Sequence, residues 1–375
     1  MLKGIQLTLL IGPVVPVPVP REVLDALTSV EVTIASGEAS GFQLSFTLSN
    51  RSPLHTIFLL SGGNPISLIR VVIVVTVNGT PDVLMDGMMT NHEVKPGSDA
   101  EHALLTVTGT DLSVVLDYID FSGIPYPAMP REGRVALILA KYAALGIVPL
   151  VIPSVMLDVP LPAEHIDRHK GKDLGYVKSL AEEVGYVFYI EPGPMPGMSI
   201  AYWGPQIRVG VPQPALNINM DAHTNVDSLS FNFNNKKKQL PIIMIQDPAT
   251  KVPIPIPLPD ITPLNPPLGL IPPLTLEIKR IKETAKLTPL QGALIGLAKV
   301  AQSSDTVSAS GSLDVKRYGR VLKARRLVGV RGAGLAFDGL YYVTKVTHKL
   351  KRGEYKQDFT LARNGLLSTL PRVPP

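Results

Sequence analysis

Hydrophobic and polar positions alternate with a period of two near the C-terminus, which predicts a β-hairpin with two different faces. The turn KRGE contains Gly353, which can take the left-handed conformation that a tight turn needs. The predicted apolar face holds Leu340, Tyr342, Val346, His348 and Leu350, then Tyr355, Phe359 and Leu361. The predicted polar face holds Tyr341, Val343, Lys345, Thr347 and Lys349, then Lys356, Asp358, Thr360 and Ala362. Such a hairpin is typical of a barrel or sandwich whose outer side contacts water.

The first 160 residues predict a second strand-rich block with attached helices. Strand patterns cover 31–36, 41–49, 69–77 and 83–92. The pair Asn78-Gly79 predicts a tight hairpin turn between two of these strands. Asp111 is positioned to cap a helix over LSVVLDYID, and helical spacing of apolar residues predicts another helix from Arg131 to Leu145. A barrel or sandwich with helices is the expected architecture.

A smaller mixed unit is predicted from residue 161 to about 240. Asp173 is the expected cap of a helix that Gly185 ends, and the strands YVFYIE and SIAYWG follow it. The apolar stripe of this helix is formed by Leu174, Val177, Leu180, Ala181 and Val184. Trp203, the single tryptophan, is expected in the core of this unit, with an interface anchor as the alternative.

Residues 251–273 form a proline-rich segment with the sequence KVPIPIPLPDITPLNPPLGLIPP. Alternate prolines predict extended, polyproline-like chain. Because Ile, Val and Leu separate the prolines, a strap packed along this fold or a neighbouring subunit is favoured over a linker or a docking peptide. Thr288 and Pro289 then predict the start of a helix, LQGALIGLAKVAQ. Its two glycines indicate close approach of another backbone, with a strained loop-helix as the alternative.

Composition narrows the class without naming a chemistry. The chain has 375 residues, 45% hydrophobic and 18% charged, with 36 prolines and no cysteine. It is therefore expected to be globular, large enough for several cores, and without disulfide or thiolate chemistry. The net charge is +5, and residues 311–375 hold fourteen Lys or Arg against four Asp or Glu. A solvated barrel exterior or a surface for an acidic protein explains this excess; no nucleic-acid partner is expected, since aromatics and bases follow no known motif order.

Three apolar stretches are long enough to be considered as membrane or targeting segments. Residues 5–11 are followed by Gly12-Pro13 and no cleavage site, which argues against a signal peptide. Residues 68–77 contain Arg70 and are too short for a bilayer, so a buried strand is expected. Prolines interrupt residues 142–159, which predicts a helix end and a core-lining loop. No stable membrane insertion is expected.

The sequence shows no convincing catalytic, metal or cofactor site. His165 and His169 have the i, i+4 spacing of zinc helices, but the HExxH glutamate and a third ligand are missing, so polar surface or a turn is expected. Glu182 and Glu183 are adjacent and would diverge on a solvent-facing helix surface. His348 is expected to be a core histidine bonded to backbone, and Gly332-Ala-Gly334 to be a turn and not a phosphate loop.

Four segments, in order, resemble the baseplate central hub proteins of contractile injection systems, the phage late control D and VgrG-type hubs. They are TGTDLSVVLDYIDFSGIPYP with its following helix, DLGYVKSLAEEVGYVFYIEPGPMPG with SIAYWGP, HTNVDSLSF, and the hairpin FDGLYYVTKVTHKLKRGEYKQDFTLARNG. The likeness is strongest to hubs of extracellular phage-tail-like particles. None of these segments is a catalytic signature.

The resemblance implies a mainly β (α+β) fold with two tube-type antiparallel β-barrel domains. Between them it implies a small α/β domain and the proline-rich strap. The expected domains are 1–160, 161–245, 246–285 and 286–375. The implied assembly is a homotrimer that contacts the inner tube protein and baseplate wedge components, forming in the cytoplasm as part of a particle. Because the sequence ends at Pro375 without the β-helical spike of many VgrG proteins, a separate spike protein is expected.

Two other classes of function remain open from the residues alone: a tail-associated cell-wall-degrading enzyme, and a stand-alone β-sandwich binding protein. For the hub interpretation, the candidate interface with the tube or another partner is Lys345, Lys349 and Lys356, on the polar parity of the hairpin. No catalytic residue, metal ligand or cofactor is expected.

Overall fold

The computed structural model describes residues 4–13, 15–49, 52–54, 57–58, 68–96, 103–154, 166–234, 239–246, 253–257, 265–271, 277–281, 305–370 and 373. The strands are β1 Ile5–Gly12, β2 Val17–Pro18, β3 Leu27–Ala35, β4 Gly41–Leu48, β5 Arg70–Val77, β6 Thr80–Pro96, β7 Ala103–Asp111, β8 Pro125–Tyr126, β9 Ile147–Val151, β10 Asp167–Arg168, β11 Val187–Pro192, β12 Ser199–Gly204, β13 Gln213–Asn217, β14 Ser228–Phe233, β15 Gln239–Gln246, β16 Pro253–Pro257, β17 Gly269–Ile271, β18 Glu277–Ile281, β19 Val307–Asp314, β20 Leu327–Arg331, β21 Gly339–Lys351, β22 Glu354–Arg363 and β23 Leu366–Ser368. The α-helices are α1 Arg21–Ala26, α2 Arg131–Ala140, α3 Asp173–Glu183 and α4 Val315–Tyr318, and 3-10 helices cover Leu112–Asp117, Ala143–Leu145 and Asp221–His223. The predicted mainly β, α+β class is confirmed.

One large sheet joins the two ends of the chain. Its strand order is β14-β19-β22-β21-β3-β4-β7-β6-β5-β1-β2, and β20 with β13 extends it beside β21. The link is β21, whose residues 345–351 pair antiparallel with residues 29–35 of β3. Apolar side chains of both blocks form one buried cluster, from Leu9 in β1 to Leu361 in β22. The strand-rich ends of the sequence therefore share a core.

The predicted turns form where turn-forming residues occur. β21 and β22 are joined through Arg352 and Gly353, with Lys351 opposite Glu354 and Gly353 at φ +86°. β5 and β6 are joined through Asn78 and Gly79, both with positive φ. Because both central residues of that turn are left-handed, it has the backbone of the tight hairpin turn that the sequence predicted.

A bulge in β21 corrects the predicted faces of the C-terminal hairpin. The register with β22 shifts between Val343 and Lys345, so Thr344 is the extra residue. Tyr341 and Val343, predicted on the polar face, are buried in the same cluster as Val346. Tyr342, predicted beside Val346, packs instead in a separate small cluster with Leu268 and Leu327. An extra residue exchanges the two faces of a strand, which strict alternation cannot anticipate.

The rest of the hairpin follows the prediction. Val346, His348 and Leu350 are buried in β21, as are Tyr355, Phe359 and Leu361 in β22. Lys345 and Lys349 are exposed, and Lys356, Asp358 and Thr360 are partly exposed. From Lys345 onward, the hairpin has one face in the core and one toward water.

The mixed unit has its own core. Parallel β9 and antiparallel β11 flank β12, and α3 packs on this small sheet. Trp203 is fully buried in this core, as predicted, and its indole Nε1 donates to the backbone oxygen of Val177 at 3.3 Å. The loop predicted within 142–159 is wrong for residues 147–151, which form β9. A strand can include Pro149 here because, among the described residues, β9 lies at the edge of its sheet and pairs on one side only.

Two helix starts are predicted correctly and one incorrectly. α2 begins at Arg131, as predicted, but it ends at Ala140, and a 3-10 helix covers Ala143–Leu145. Asp111 accepts a hydrogen bond from the backbone N–H of Ser113 and caps the 3-10 helix, as expected. Asp173 is not a cap but the first residue of α3, after Lys172. Its buried carboxylate accepts from the Tyr142 hydroxyl at 2.6 Å and pairs with Lys141 at 2.6 Å. The Asp173 carboxylate therefore binds Lys141 and Tyr142, which are distant in sequence, and does not cap its own helix.

Part of the proline-rich segment is a strand. Residues 253–257 pair antiparallel with β15, and Ile254 lies opposite Ile245. Prolines at alternate positions remove donors from one edge only, so the intervening residues can pair while the strand lies at a sheet edge. These five residues are extended, as expected, but they pair as a β-strand and are not polyproline-like chain. The predicted helix after Pro289 lies outside the described residues. Across the described ranges, no helix is long and apolar enough to cross a membrane.

Candidate functional site

The outer side of the large sheet carries a continuous polar surface across five strands, β14, β19, β22, β21 and β3. Ser228, Ser312, Asp358, Thr347 and Thr33 lie opposite one another in one row. We call the following residues the polar face: Thr33, Ser228, Ser230, Ser310, Ser312, Lys345, Thr347, Lys349, Lys356, Asp358 and Thr360. Facing residues of an antiparallel ladder share one side of the sheet, so register alone places this set together.

Hydroxyl groups connect neighbouring strands of the polar face. Ser228 and Ser312 lie 3.0 Å apart through their hydroxyls, and Ser230 and Ser310 lie 3.1 Å apart. Thr33 and Thr347 are linked in the same way at 3.1 Å, across the junction between the two ends of the chain. Each hydroxyl can both donate and accept, so these side chains satisfy one another's hydrogen bonds and add no charge to the polar face.

The three predicted lysines lie on the polar face. Lys345 is exposed and makes no ion pair with any described residue. Lys349 donates to Asp358 at 2.6 Å, and this hydrogen bond raises the pKa of the Lys349 ammonium. Lys356 lies 3.3 Å from Glu354 and 3.8 Å from Asp227, and the contact with Glu354 raises its pKa.

The surface around these lysines has mixed charge. Glu31 lies opposite Lys349 in the register of β3 and β21, and Asp314 lies opposite Lys356. Carboxylates on this side of the sheet therefore accompany two of the three lysines. A partner on this surface meets alternating charges and hydroxyls instead of a uniformly basic patch.

Part of the C-terminal basic excess lies inside the fold. The Arg363 side chain is fully buried over the Tyr341 ring and donates to the backbone oxygens of Asp338 at 2.9 Å and Ala336 at 2.7 Å. Arg325 donates to the backbone oxygen of Ala35 at 2.7 Å and stacks on an aromatic ring. Sequence counts of charge could not reveal this, because Arg and Lys are usually exposed.

A buried ion pair joins the large sheet to the mixed unit. Arg70 donates from Nε and Nη2 to the two carboxylate oxygens of Asp86, at 2.7 and 2.6 Å. The same Arg70 donates to the Gly197 oxygen at 2.9 Å, and the Ser199 hydroxyl donates to Asp86 at 3.1 Å. In the sequence Arg70 only interrupts an apolar run, and its charge within the eight-residue strand β5 is the one local signal of this ion pair.

Of the three histidines singled out from the sequence, the two that the structure describes, His169 and His348, are buried. His169 is buried, not surface polar as expected, with Nδ1 at 2.9 Å from the Tyr126 hydroxyl and Nε2 at 3.3 Å from Asp173. It precedes α3 instead of lying on a helix, and His165 lies outside the described residues. His348 is buried as predicted, but its partners are the side chains of Tyr355 and Gln357, not backbone.

The other chemistry-bearing residues are also separated. Glu182 and Glu183 are exposed on α3, as predicted, and Glu183 pairs with Arg131 at 2.9 Å. Gly332 and Gly334 both have positive φ in the turn that follows β20, as expected. Within the described ranges, no group of three His, Asp or Glu side chains is arranged to hold a metal ion.

The fold is shared with solved tail proteins. The tail protein from Neisseria meningitidis MC58 matches with a TM-score of 0.62 and 14% identity, covering 97% of this chain and 98% of that chain. The 43 kDa tail protein of prophage MuSo2 from Shewanella oneidensis matches with a TM-score of 0.61 and 14% identity, covering 96% and 98%. The E. coli c3393 protein, a type VI secretion system component, matches with a TM-score of 0.54 and 14% identity, covering 93% and 78%.

Comparisons by sequence are negative. No protein-family model matches the chain, and no curated protein matches it. The likeness to tail proteins therefore rests on the superposition of the folds, which extends over nearly the whole length of two of the three neighbours. It shows that this chain shares its fold with those proteins.

Proposed function

We propose that this protein is a structural baseplate hub of a contractile injection system: a trimeric collar that joins the hexameric inner tube to a trimeric spike. The observation that carries the proposal is the end-to-end match in fold with tail proteins, over 97% of this chain and 98% of the Neisseria protein. The solved E. coli c3393 protein is described as similar to the bacteriophage T4 tail proteins gp27 and gp5. The four hub-like segments of the sequence support the same role.

In this proposal the two strand-rich ends act as two tube-type barrel domains in each subunit. Three subunits then present six such units, which allows a threefold collar to meet a sixfold tube. The pairing of β3 with β21 supports this arrangement, because it holds the two ends of one chain side by side in one sheet. The partners are the inner tube protein, a separate spike protein and baseplate wedge components, within a phage-tail-like particle.

The polar face is the proposed surface for the tube or another partner. Exposed ion pairs contribute little to folding, so Lys345, Lys349 and Lys356 can change without unfolding the chain. Their interactions with an acidic ring would weaken with salt, since charges are screened beyond about 10 Å at 0.1 M ionic strength. The proposed role is structural, with no catalytic function for Glu182 or Glu183.

The experiment combines native mass spectrometry with electron microscopy of assembled particles. The charge-reversed variant Lys345→Glu, Lys349→Glu, Lys356→Glu should remain trimeric and lose occupancy at the tube end. A matched control reverses three exposed charges elsewhere, Arg21→Glu, Lys170→Glu and Lys178→Glu. A monomeric wild type at micromolar concentration would contradict the hub. Full tube occupancy with the lysine variant would contradict the proposed surface alone.

A further inference from the structure

A cavity of about 700 Å³ opens into the core that the two ends of the chain share. Its wall is formed by β1, α1, the start of β3 and the turn between β21 and β22. Its apolar floor includes Ile5, Leu7, Leu24, Leu27, Leu350 and Tyr355. Leu7 and Leu24 remain partly exposed, so solvent reaches this floor. Because protein interiors are close-packed, an apolar opening of this size suits an apolar group from outside the chain.

The rim of this cavity carries two cations without carboxylate partners. Lys351 and Arg352, where β21 turns into β22, are exposed and make no ion pair with any described residue. The rim carboxylates already have cations, since Glu354 lies 3.3 Å from a lysine of β22 and Asp25 lies 3.9 Å from Arg21. The side chains of that last pair lie largely in solvent. The rim therefore favours a group that places a negative charge beside an apolar side chain.

One exposed segment of the same chain has this chemistry. Tyr118 and Ile119 are 49% and 59% exposed, and Asp117 and Asp120 flank them. Across the described ranges, no other large exposed apolar side chains lie between two carboxylates in the sequence. We call residues 117–120 the acidic loop. Tyrosine is also among the residues that contribute most to protein interfaces.

The acidic loop is anchored at both ends to the mixed unit. It continues a 3-10 helix whose Leu112 and Leu116 are buried in the core of that unit. At its other end, Asp120 forms an isolated β-bridge with Lys172, and the Lys172 ammonium lies 3.4 Å from Asp117. A segment that is ordered before it binds loses less conformational entropy on binding. The loop therefore presents its two apolar side chains to solvent from a fixed position.

We propose that the acidic loop of one copy of this chain docks in the cavity of a second copy. Ile119 enters the apolar floor, and Asp117 and Asp120 face Lys351 and Arg352 at the rim. The loop does not line the cavity of its own chain, so the contact joins two chains. A contact between two different surfaces is head-to-tail, and it closes into a ring when the rotation between copies fits. This inference rests on the proposed trimer and names the surfaces that hold it together.

The first test is disulfide cross-linking of the full-length chain, which has no cysteine of its own. Two double variants combine Ile119→Cys with Leu24→Cys or with Ser29→Cys, both at cavity-lining positions. Mild oxidation should link chains into covalent dimers and trimers in at least one of them, because a disulfide needs Cα atoms within about 7 Å. Each single variant should stay unlinked, since a head-to-tail contact never brings two identical positions together. Val211→Cys with Ser29→Cys is the control for random collision, because Val211 is 93% exposed.

A second variant keeps the test independent of packing in the cavity. Ile119→Asp changes an exposed side chain and should leave the secondary structure of the chain unchanged by circular dichroism. It places a carboxylate against the apolar floor, so the trimer should dissociate at a concentration at least about tenfold higher than wild type. Native mass spectrometry over a dilution series measures this concentration. The matched variant Val211→Asp should dissociate as wild type does.

The outcomes separate this contact from the proposed function. A wild type that is monomeric at micromolar concentration would contradict the hub and this contact together. A trimeric wild type would leave the hub standing, and three results would then overturn the contact alone. They are no disulfide with either cavity cysteine, equal cross-linking in the Val211→Cys control, and an Ile119→Asp trimer as stable as wild type.

Discussion

Two ion pairs of the same length lie in opposite environments in this molecule. Lys349 and Asp358 on the polar face are 2.6 Å apart, with each side chain 46% exposed. Arg70 and Asp86, between the large sheet and the mixed unit, are also 2.6 Å apart, with side chains 3% and 0% exposed. Water screens the first pair, whereas the second has lost its hydration and depends on its partner. Solvent exposure, and not distance, decides what each pair contributes to stability.

The largest expected effect comes from breaking the buried pair. Arg70→Met leaves the Asp86 carboxylate buried without its bidentate partner, although Ser199 still donates to it. Removing one partner of a buried pair costs about 3–5 kcal/mol. Denaturant unfolding should therefore show a fall of that size in the free energy of unfolding.

Removing both charges separates the pair itself from the cost of an orphaned charge. The double variant Arg70→Met, Asp86→Leu should be more stable than Arg70→Met, because no buried charge remains. A double variant less stable than the single one would show that the isolated carboxylate is not the main cost, and that Asp86 stabilises the junction through its remaining contact with Ser199.

The free energy of unfolding should fall as the pH is lowered below 6.5, because His348 is buried as a neutral ring. Folded His348 stays neutral down to a pKa of about 3, whereas a histidine in the unfolded chain gains a proton near pH 6.5. Between these values the unfolded state binds more protons, so stability falls as pH falls, by about 1.4 kcal/mol per pH unit from this residue. Denaturant unfolding from pH 6.5 to 5.0 measures the slope.

The variant His348→Leu is the control for that slope. It begins at lower stability, since Tyr355 and Gln357 lose their shared acceptor. Its free energy of unfolding should nevertheless depend less on pH across the same range. An unchanged slope would assign the acid sensitivity to other groups, such as buried His169, whose pKa burial also lowers.

Packing beneath the polar face should matter more than the charges on it. A Cβ at Gly311 would lie 2.3 Å from the backbone oxygen of Ser228 and 2.8 Å from the Phe359 ring. Gly311→Ala should therefore displace β14 or Phe359 and cost about 1–3 kcal/mol. Hydrogen exchange should show weaker protection of the β14 amides in this variant. Ser310→Ala, on the exposed side of β19, should leave that protection nearly unchanged.

The smallest expected effect is on the exposed pair. Lys349→Ala removes the contact with Asp358, and the free energy of unfolding should change by about 1 kcal/mol or less. This change should be smaller at high salt, because salt already screens the exposed pair. Thermal unfolding at low and high ionic strength measures this. A loss close to that of Arg70→Met would mean that the two environments do not differ in the way their exposure indicates.

Much of the local structure was predictable from sequence. The Asn78-Gly79 turn, the Gly353 turn, the cap at Asp111 and the burial of Trp203 each depend on the conformational or chemical preference of one or two residues. The hub resemblance also led to the tail-protein fold that the structural comparisons report. These features were accessible because each is encoded within a few neighbouring positions.

The misplaced features depend on residues far apart in sequence. The bulge at Thr344 occurs where β21 leaves β20 and begins to pair with β3. Asp173 leaves its capping role because Lys141 and Tyr142 reach its carboxylate. Four consecutive apolar residues, 340–343, were the local sign that alternation fails in β21.

The sequence by itself determined the mainly β class, the positions of most strands and turns, and the placement of Lys345, Lys349 and Lys356 on one side of a hairpin. These follow from side-chain periodicity and backbone preference, which act over a few residues. Tertiary structure alone decided which charges are buried, as for Arg70 and Arg363. It also joined the two ends of the chain through β3 and β21. Such outcomes depend on which distant surfaces exclude water together, and no local pattern records that.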